Sequence, residues 1–310
     1  MTNGVSSPIF FTDMHEMTLP ADATAKKLGN YLKKHFPIGY IRKLFRKNGI
    51  RLNGKKANPD DLIRQGDRLQ IFIPFEKKPQ VARGDTKAKP ALPVLFENEE
   101  LLVIDKPAGI AVHEAKGIQK NLTILGILEK QYKGSPPRLV HRLDQDTSGV
   151  LLLSKKEKSL KELERLFAEH EIEKEYLCLV AGLLPQSEGK IDFPLPGREG
   201  NTVQALTRFK IVKRYSETTL VRVHIDTGRM HQIRLHFAKL GYPVVLDEQH
   251  GDFSFNRRFR KKFGLKRQFL HASKIALDYG GKKRTWAAPL PADLSKTLES
   301  LGAAPNRPTH

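Results

Sequence analysis

The sequence is poor in three things. It has one cysteine, Cys178, in 310 residues, no apolar run much longer than "GVLLLS", and few acidic residues against its basic ones. A single thiol excludes a disulfide framework or a thiolate zinc cluster within the chain and agrees with a reducing cytosol. The short apolar runs leave no stretch able to span a bilayer. The opening "MTNGVSSPIFFTDMHEM" lacks the basic start and apolar core of a signal peptide. A cytoplasmic location and no membrane partner are therefore expected. The acidic deficit is 34 Asp and Glu against 54 Lys and Arg, a net charge of +20. An excess of that size points to a polyanionic partner, nucleic acid first.

What is present reads as two domains. Hydrophobic residues make up 39% and charged residues 28%, as in globular proteins. Residues 1–20 carry little pattern and are expected to be an N-terminal extension. Leu28, Leu32 and Phe36 fall four apart and predict a helix, which Pro37 and Gly39 break. Ile41, Leu44 and Phe45 predict a second helix whose other side carries Arg42, Lys43, Arg46 and Lys47. Asn53-Gly54, followed by Lys55 and Lys56, is a strong hairpin-turn signal. Leu69, Ile71 and Ile73 alternate as in a half-buried strand. The first domain therefore spans residues 21–75, and the Pro- and Lys-rich stretch 76–93 reads as a linker.

Over residues 94–300, "ELLVIDK", "VLLLSK", "EYLCLVAG", "TRFKIVKRY", "TTLVRVHI", "SKIALDY" and "RTWAAP" predict strands. Residues 157–170 predict an amphipathic helix, and "MHQIRLHFAKLG" a helix closed by Gly241. Strands outnumber helices and come in runs. The expected class is α+β with a mixed, mainly antiparallel sheet.

"RLVHRLDQDTSGVLLLSK" (138–155) crowds His141, Arg142, Asp144 and Asp146 at the mouth of a strand. "DQDTSG" fits the start of a calcium loop, but the twelfth position is Lys155, whose ammonium would repel the ion. "DQDT" has the spacing of an aspartyl-phosphatase nucleophile. That motif follows an apolar strand, whereas here the apolar run comes after it. A carboxylate kept ionised among cations is a third reading. A plain turn is a fourth, with Asp146, Thr147 and Ser148 bonding the backbone and Gly149 at positive φ. The turn reading suits residues 146–149; composition leaves Asp144 open.

"HRLDQDTSG" resembles the signature of the RluA family of pseudouridine synthases. "DKPAGIAVH" (105–113), "EKEYLCLVAG" (173–182) and "DTGRMHQIRLH" (226–236) resemble three further family elements, in the family's order. Residues 21–74 resemble the small RNA-binding module named after ribosomal protein S-four. The resemblance implies isomerisation of uridine in RNA: the bond from N1 to the sugar breaks, and C5 joins the same sugar carbon. It implies no cofactor and no metal. It assigns the catalytic carboxylate to Asp144. It gives Arg142 the task of holding the uridine out of its stack, sets Tyr176 against the uracil and pairs Arg234 with Asp144. The stretch 246–272 resembles the RluC-type branch, which modifies large-subunit ribosomal RNA; a transfer-RNA enzyme of the same family is the alternative. Within that stretch Arg257, Arg258, Lys261 and Lys262 join the basic residues of the first domain as expected RNA contacts. A non-catalytic RNA-binding or ribosome-assembly factor would share the charge without requiring Asp144, Tyr176 and Arg234 together. A monomer is expected.

The histidines invite a metal reading. His231 and His236 are five apart and would point to separate sides of a helix, while His250 and His271 lie in other segments. Support by hydrogen bonding is expected for His141 and His231 instead.

Overall fold

The computed structural model describes residues 15–19, 26–36, 38–72, 92–114, 118–196 and 201–303. The chain divides into two compact units, Met1–Lys89 and Pro90–His310.

In the first unit, helices Leu28–His35 and Ile38–Arg46 bury Leu28, Tyr31, Leu32, Ile41 and Leu44. These positions repeat at three and four residues, so one stripe of each helix meets the core. The core is completed by Ile50, Leu69 and Ile71 from an antiparallel sheet. Its order is His15–Thr18, Arg68–Ile71, Ile50–Leu52, Lys55–Lys56. Asn53 (φ 51°) and Gly54 (φ 76°) make the predicted two-residue turn, in which both central residues need positive φ. Two expectations are corrected. Residues 1–20 are not merely an extension: His15–Thr18 pairs with Arg68–Ile71, and Leu19 is 1% exposed. "HEMT" has no readable period, and its strand depends on the partner ladder. Gly39 lies inside the second helix, not in a break before it. Ile73 falls outside the described residues.

The second unit is built on a ten-stranded sheet. The main path runs Glu188–Ile191, Thr207–Arg214, Thr218–Ile225, Glu173–Ala181, Leu270–Tyr279, Ser148–Ser154, Leu101–Lys106, Val94–Glu97. Lys282–Ala287 pairs with Leu270–Tyr279, and Arg138–Leu139 with Ser148–Ser154. Every pairing along it is antiparallel except one, a short parallel seam in which Ser148 faces His271 and Gly149 faces Ala272. Strands on either side of the seam are buried on both faces. Leu151 and Leu153 join one core while Val150 and Leu152 join another. This explains why "VLLLS" reads as an unbroken apolar run.

The helices Glu157–Ala168 and Gln232–Lys239 fall where the apolar period places them, and the basic run lies on a third, Phe253–Phe263. Ile124–Gln131 and Ala292–Ala303 were not evident from that period. Of the expected linker, residues 76–91 lie outside the described residues. Leu92 and Pro93 belong to the second unit: Leu92 is in its core, and the Pro93 carbonyl accepts from the Asp105 N–H at 2.9 Å. The last helix carries the unit past residue 300 to Ala303.

Candidate active site

Asp144 sits in the turn between the strands Arg138–Leu139 and Ser148–Ser154. Its carbonyl accepts from the Thr147 N–H at 3.1 Å and closes that turn. The residues that follow reach further than a local turn requires. The Thr147 hydroxyl accepts from the Gln268 amide at 2.8 Å, and the Ser148 hydroxyl meets His271 Nδ1 at 3.0 Å. The expectation that Thr147 and Ser148 bond their own backbone is therefore replaced: both are buried beside the seam and are satisfied from across it. Gly149 does take positive φ, at 114°, and a Cβ there would lie 2.1 Å from the Ala272 carbonyl oxygen. Only glycine lets the two backbones approach so closely.

The turn is anchored from beneath by Lys106, whose side chain is fully buried. Its ammonium donates to the carbonyls of Pro107 (2.8 Å), Ile110 (2.8 Å) and Gln145 (3.0 Å). All three N–H bonds are used, and the Gln145 carbonyl belongs to the residue next to Asp144. Burial drives this lysine down to about 7, against the pull of Asp146, Asp144 and Asp105. His141 supports the same turn from another side. Its Nε2 accepts from the Leu152 N–H at 2.9 Å, and its ring stacks on Phe167 at 5.0 Å. Burial pushes His141 down to about 3, so it is a neutral support.

Arg234, 7% exposed at its side chain, projects from the helix Gln232–Lys239. Its Nη1 donates to Asp144 Oδ2 at 2.9 Å. Its Nε and Nη2 grip the two oxygens of Asp247 at 2.8 Å each, a bidentate pair. Asp247 has a fully buried side chain. Burial opposes its ionisation, but Arg234 and the N–H groups of His250 and Gln249 outweigh it and hold its carboxyl below the usual range. Asp247 itself is fixed through Asn256, whose amide donates to the Asp247 carbonyl at 3.0 Å. Neither Asp247, Lys106 nor Asn256 was singled out as a site residue by sequence. The "DK" of "DKPAG" and the "LDEQ" after "GYPVV" were the only traces.

Tyr176 is 8% exposed, on the strand Glu173–Ala181. Burial, then the nearby Asp144 charge, raises its hydroxyl above the ordinary phenol range. It therefore stays a neutral phenol. Arg142 is exposed at the rim. Arg142, Asp144, Tyr176, Arg229, His231 and Arg234 line an open cleft, with Ile225 and Leu270 as apolar wall. Arg234 holds one oxygen of a carboxylate that lines the cleft, an arrangement that suits a nucleophile or base.

The remaining expected residues are spread over the two units. Arg42, Arg46, Lys47, Lys55 and Lys56 are exposed on the first unit, and Lys43 is half-buried there. Arg257, Arg258, Lys261 and Lys262 are exposed on the helix Phe253–Phe263, which Asn256 ties to the Asp247 turn. His236 bonds Thr207 and the Phe193 carbonyl, and His271 bonds Ser148, each in its own place. His250, far from His231 in sequence, meets it at 3.2 Å.

Residues 100–239 match the model of the family described as RNA pseudouridylate synthase. The chain is 35% identical over 305 residues to a Buchnera aphidicola (subsp. Schizaphis graminum) protein named ribosomal large subunit pseudouridine synthase C; the match covers 90% of this chain and 95% of that one. The Escherichia coli protein of the same name is 32% identical over 308 residues, covering 92% and 96%. Among solved structures, human RNA pseudouridylate synthase domain containing 4 superposes with a TM-score of 0.58 at 23% identity, covering 68% of this chain and 93% of that one. This last likeness is one of fold.

Proposed function

This chain belongs to the RNA pseudouridylate synthase family, and from that premise we propose that it converts uridine to pseudouridine in large-subunit ribosomal RNA, with Asp144 as the catalytic carboxylate. The observation that carries the reading is the hold on Asp144: it lines the cleft, and Arg234 takes its Oδ2 at 2.9 Å while His231 Nε2 stands 3.8 Å from its Oδ1. The substrate assignment is supported by the names of relatives matched over nine-tenths of the chain.

A uridine reaches the half-buried carboxylate of Asp144 only after leaving its stack. In this reading Arg142, exposed at the rim, holds the vacated position. Tyr176 lies under the flipped base, and Arg234 keeps Asp144 aimed. The reaction is an isomerisation: the N1 bond to the ribose breaks, the uracil turns, C5 bonds the same carbon, and the C5 proton is exchanged for one on N1. The first unit, with two helices, a basic face and a hairpin bearing Lys55 and Lys56, supports the assignment of residues 21–75 to an RNA-binding module of the S-four type. It acts with the basic helix of the second unit through phosphate contacts. Among the described residues no helix is long and apolar enough to cross a membrane, and we place the protein with its RNA in the cytoplasm.

The test is to incubate wild type and Asp144→Asn with unmodified large-subunit RNA and with unmodified transfer RNA, and to quantify pseudouridine in each. Wild type is expected to form it in the large-subunit RNA and Asp144→Asn in neither. Product in transfer RNA alone would refute the substrate assignment.

A further inference from the structure

Five residues form an almost closed ring at the cleft. Arg234 bonds Asp144 and Asp247. Asp247 Oδ1 accepts from the His250 backbone N–H at 3.0 Å. His250 Nε2 meets His231 Nδ1 at 3.2 Å, and His231 Nε2 lies 3.8 Å from Asp144 Oδ1. The first of these links hold the carboxylate; the last leaves a gap. That gap lies beside the one Asp144 oxygen that Arg234 does not bind.

The proton positions follow from electrostatics. A bare Nε2 on His231 would set its lone pair against the Asp144 carboxylate, so Nε2 carries the proton. Nδ1 is then the acceptor, and His250 Nε2–H is the donor to it. His231 is also fixed by its backbone: it caps the helix at φ 55°, a left-handed conformation seldom taken by residues with a side chain. The His250 backbone is held in place by its N–H bond to Asp247.

We infer that His231 is a further catalytic residue, whose Nε2–H bonds a carbonyl oxygen of the detached uracil, and that His250 is the positioning residue that sets its tautomer. This rests on the isomerisation proposed above. When the N1 bond breaks, its electron pair leaves with the uracil, and the charge spreads over the ring nitrogen and the two carbonyl oxygens. A donor beside the reactive oxygen of Asp144 meets that charge where it develops, before C5 turns to the ribose. The surroundings keep the donor neutral. Burial and Arg234, with Arg142 further off, outweigh Asp144 and Asp247 and hold His231 below its ordinary value. Burial does the same to His250, with Arg234 and His231 against Asp247 and Asp144. A neutral N–H does not compete with the arginines for phosphate, so its contribution falls on the chemical step more than on RNA binding.

The test compares wild type, Asp144→Asn, His231→Phe, His231→Gln, His250→Phe and His250→Gln, with kcat and KM measured separately on large-subunit RNA. His231→Phe is expected to lower kcat by on the order of a hundredfold, as for one lost oxyanion donor, with KM little changed. His250→Phe should lower it by about tenfold, the size of a lost orienting contact. His250→Gln, whose amide can still donate to Nδ1, should recover most of that loss. His231→Gln keeps an N–H and carries the test if the Phe variant does not fold. Nitrogen NMR of the free enzyme should find His231 as the Nε2–H tautomer, and a tautomer mixture in His250→Phe. Wild-type kcat in His231→Phe, a loss confined to KM, or an Nδ1–H tautomer in wild type would overturn the inference. If Asp144→Asn is inactive and the histidine variants are not impaired, the inference falls and the isomerase reading stands. If wild type forms no pseudouridine, both fall.

Discussion

Replacing Arg234 by alanine removes a cation that serves two carboxylates of unlike standing. Asp144 is 21% exposed and can be reached by water, whereas the Asp247 side chain is fully buried and keeps only two backbone donors, from Gln249 and His250. Leaving a buried charge without its partner costs about 3–5 kcal/mol. In a domain of this size that lowers Tm by roughly 6–20 °C. The loss depends on pH in a definite sense. In wild type the Asp247 carboxyl is held below its ordinary value, so its stabilising share is present above the unfolded-state pKa and fades as pH falls through the lowered one. In Arg234→Ala burial acts unopposed by that cation, and the same carboxyl rises above its ordinary value. The variant's penalty is then relieved by protonation as the solution is acidified. The stability gap between the two proteins should narrow from pH 7 toward pH 4. Thermal melts and urea titrations across that range measure it, and turnover at pH 7 should fall by on the order of a hundredfold as Asp144 loses its hold. A gap constant with pH, or smaller than about 1 kcal/mol at pH 7, would refute the assignment of Asp247 as a buried ion that depends on Arg234.

Lys106→Met should destabilise the second unit by about 3 kcal/mol, since three carbonyls lose their donor, and should slow turnover by loosening the Gln145 carbonyl beside Asp144. Because Lys106 is held down near 7, wild type binds fewer protons than its unfolded chain from that pH upward, so its stability relative to Lys106→Met should rise from pH 7 to pH 9. Denaturant midpoints at the two pH values check the sign. Gly149→Ala should prevent the parallel seam from closing, because the new Cβ would meet the Ala272 carbonyl oxygen at 2.1 Å with φ at 114°; a soluble variant with wild-type Tm would contradict this. Removing residues 1–90 deletes eighteen Lys and Arg against eight Asp and Glu. RNA affinity should fall, and its salt dependence should flatten by about 0.7–0.9 in log slope per lost phosphate contact. Equal slopes for the two proteins would remove the first unit from RNA binding.

The parts of this protein that repeat locally were legible in its sequence. Leu28 and Leu32, or Leu163 and Leu166, declare helices because one turn brings them to one side, and the runs "LLVI" and "VLLLS" declare strands covered on both faces. Asn53-Gly54 declared its turn, and Gly149 its positive φ, because few residues tolerate that backbone. Asp144 and Arg234 could be paired by resemblance, and they lie 2.9 Å apart. The tertiary structure alone decided what those residues rest on. His15–Thr18 is a strand only because Arg68–Ile71 offers it a ladder. Asp247 is a partner of Arg234 because a turn after Val245 faces a helix. Lys106 is an anchor because its strand ends beneath the Gln145 carbonyl, 39 residues away. His250 meets His231 across 19 residues that no period connects. Propensity and periodicity are properties of neighbours along a chain. A buried charge or a fixed tautomer is a property of what the folded chain leaves without water, and only the packing of distant segments determines that.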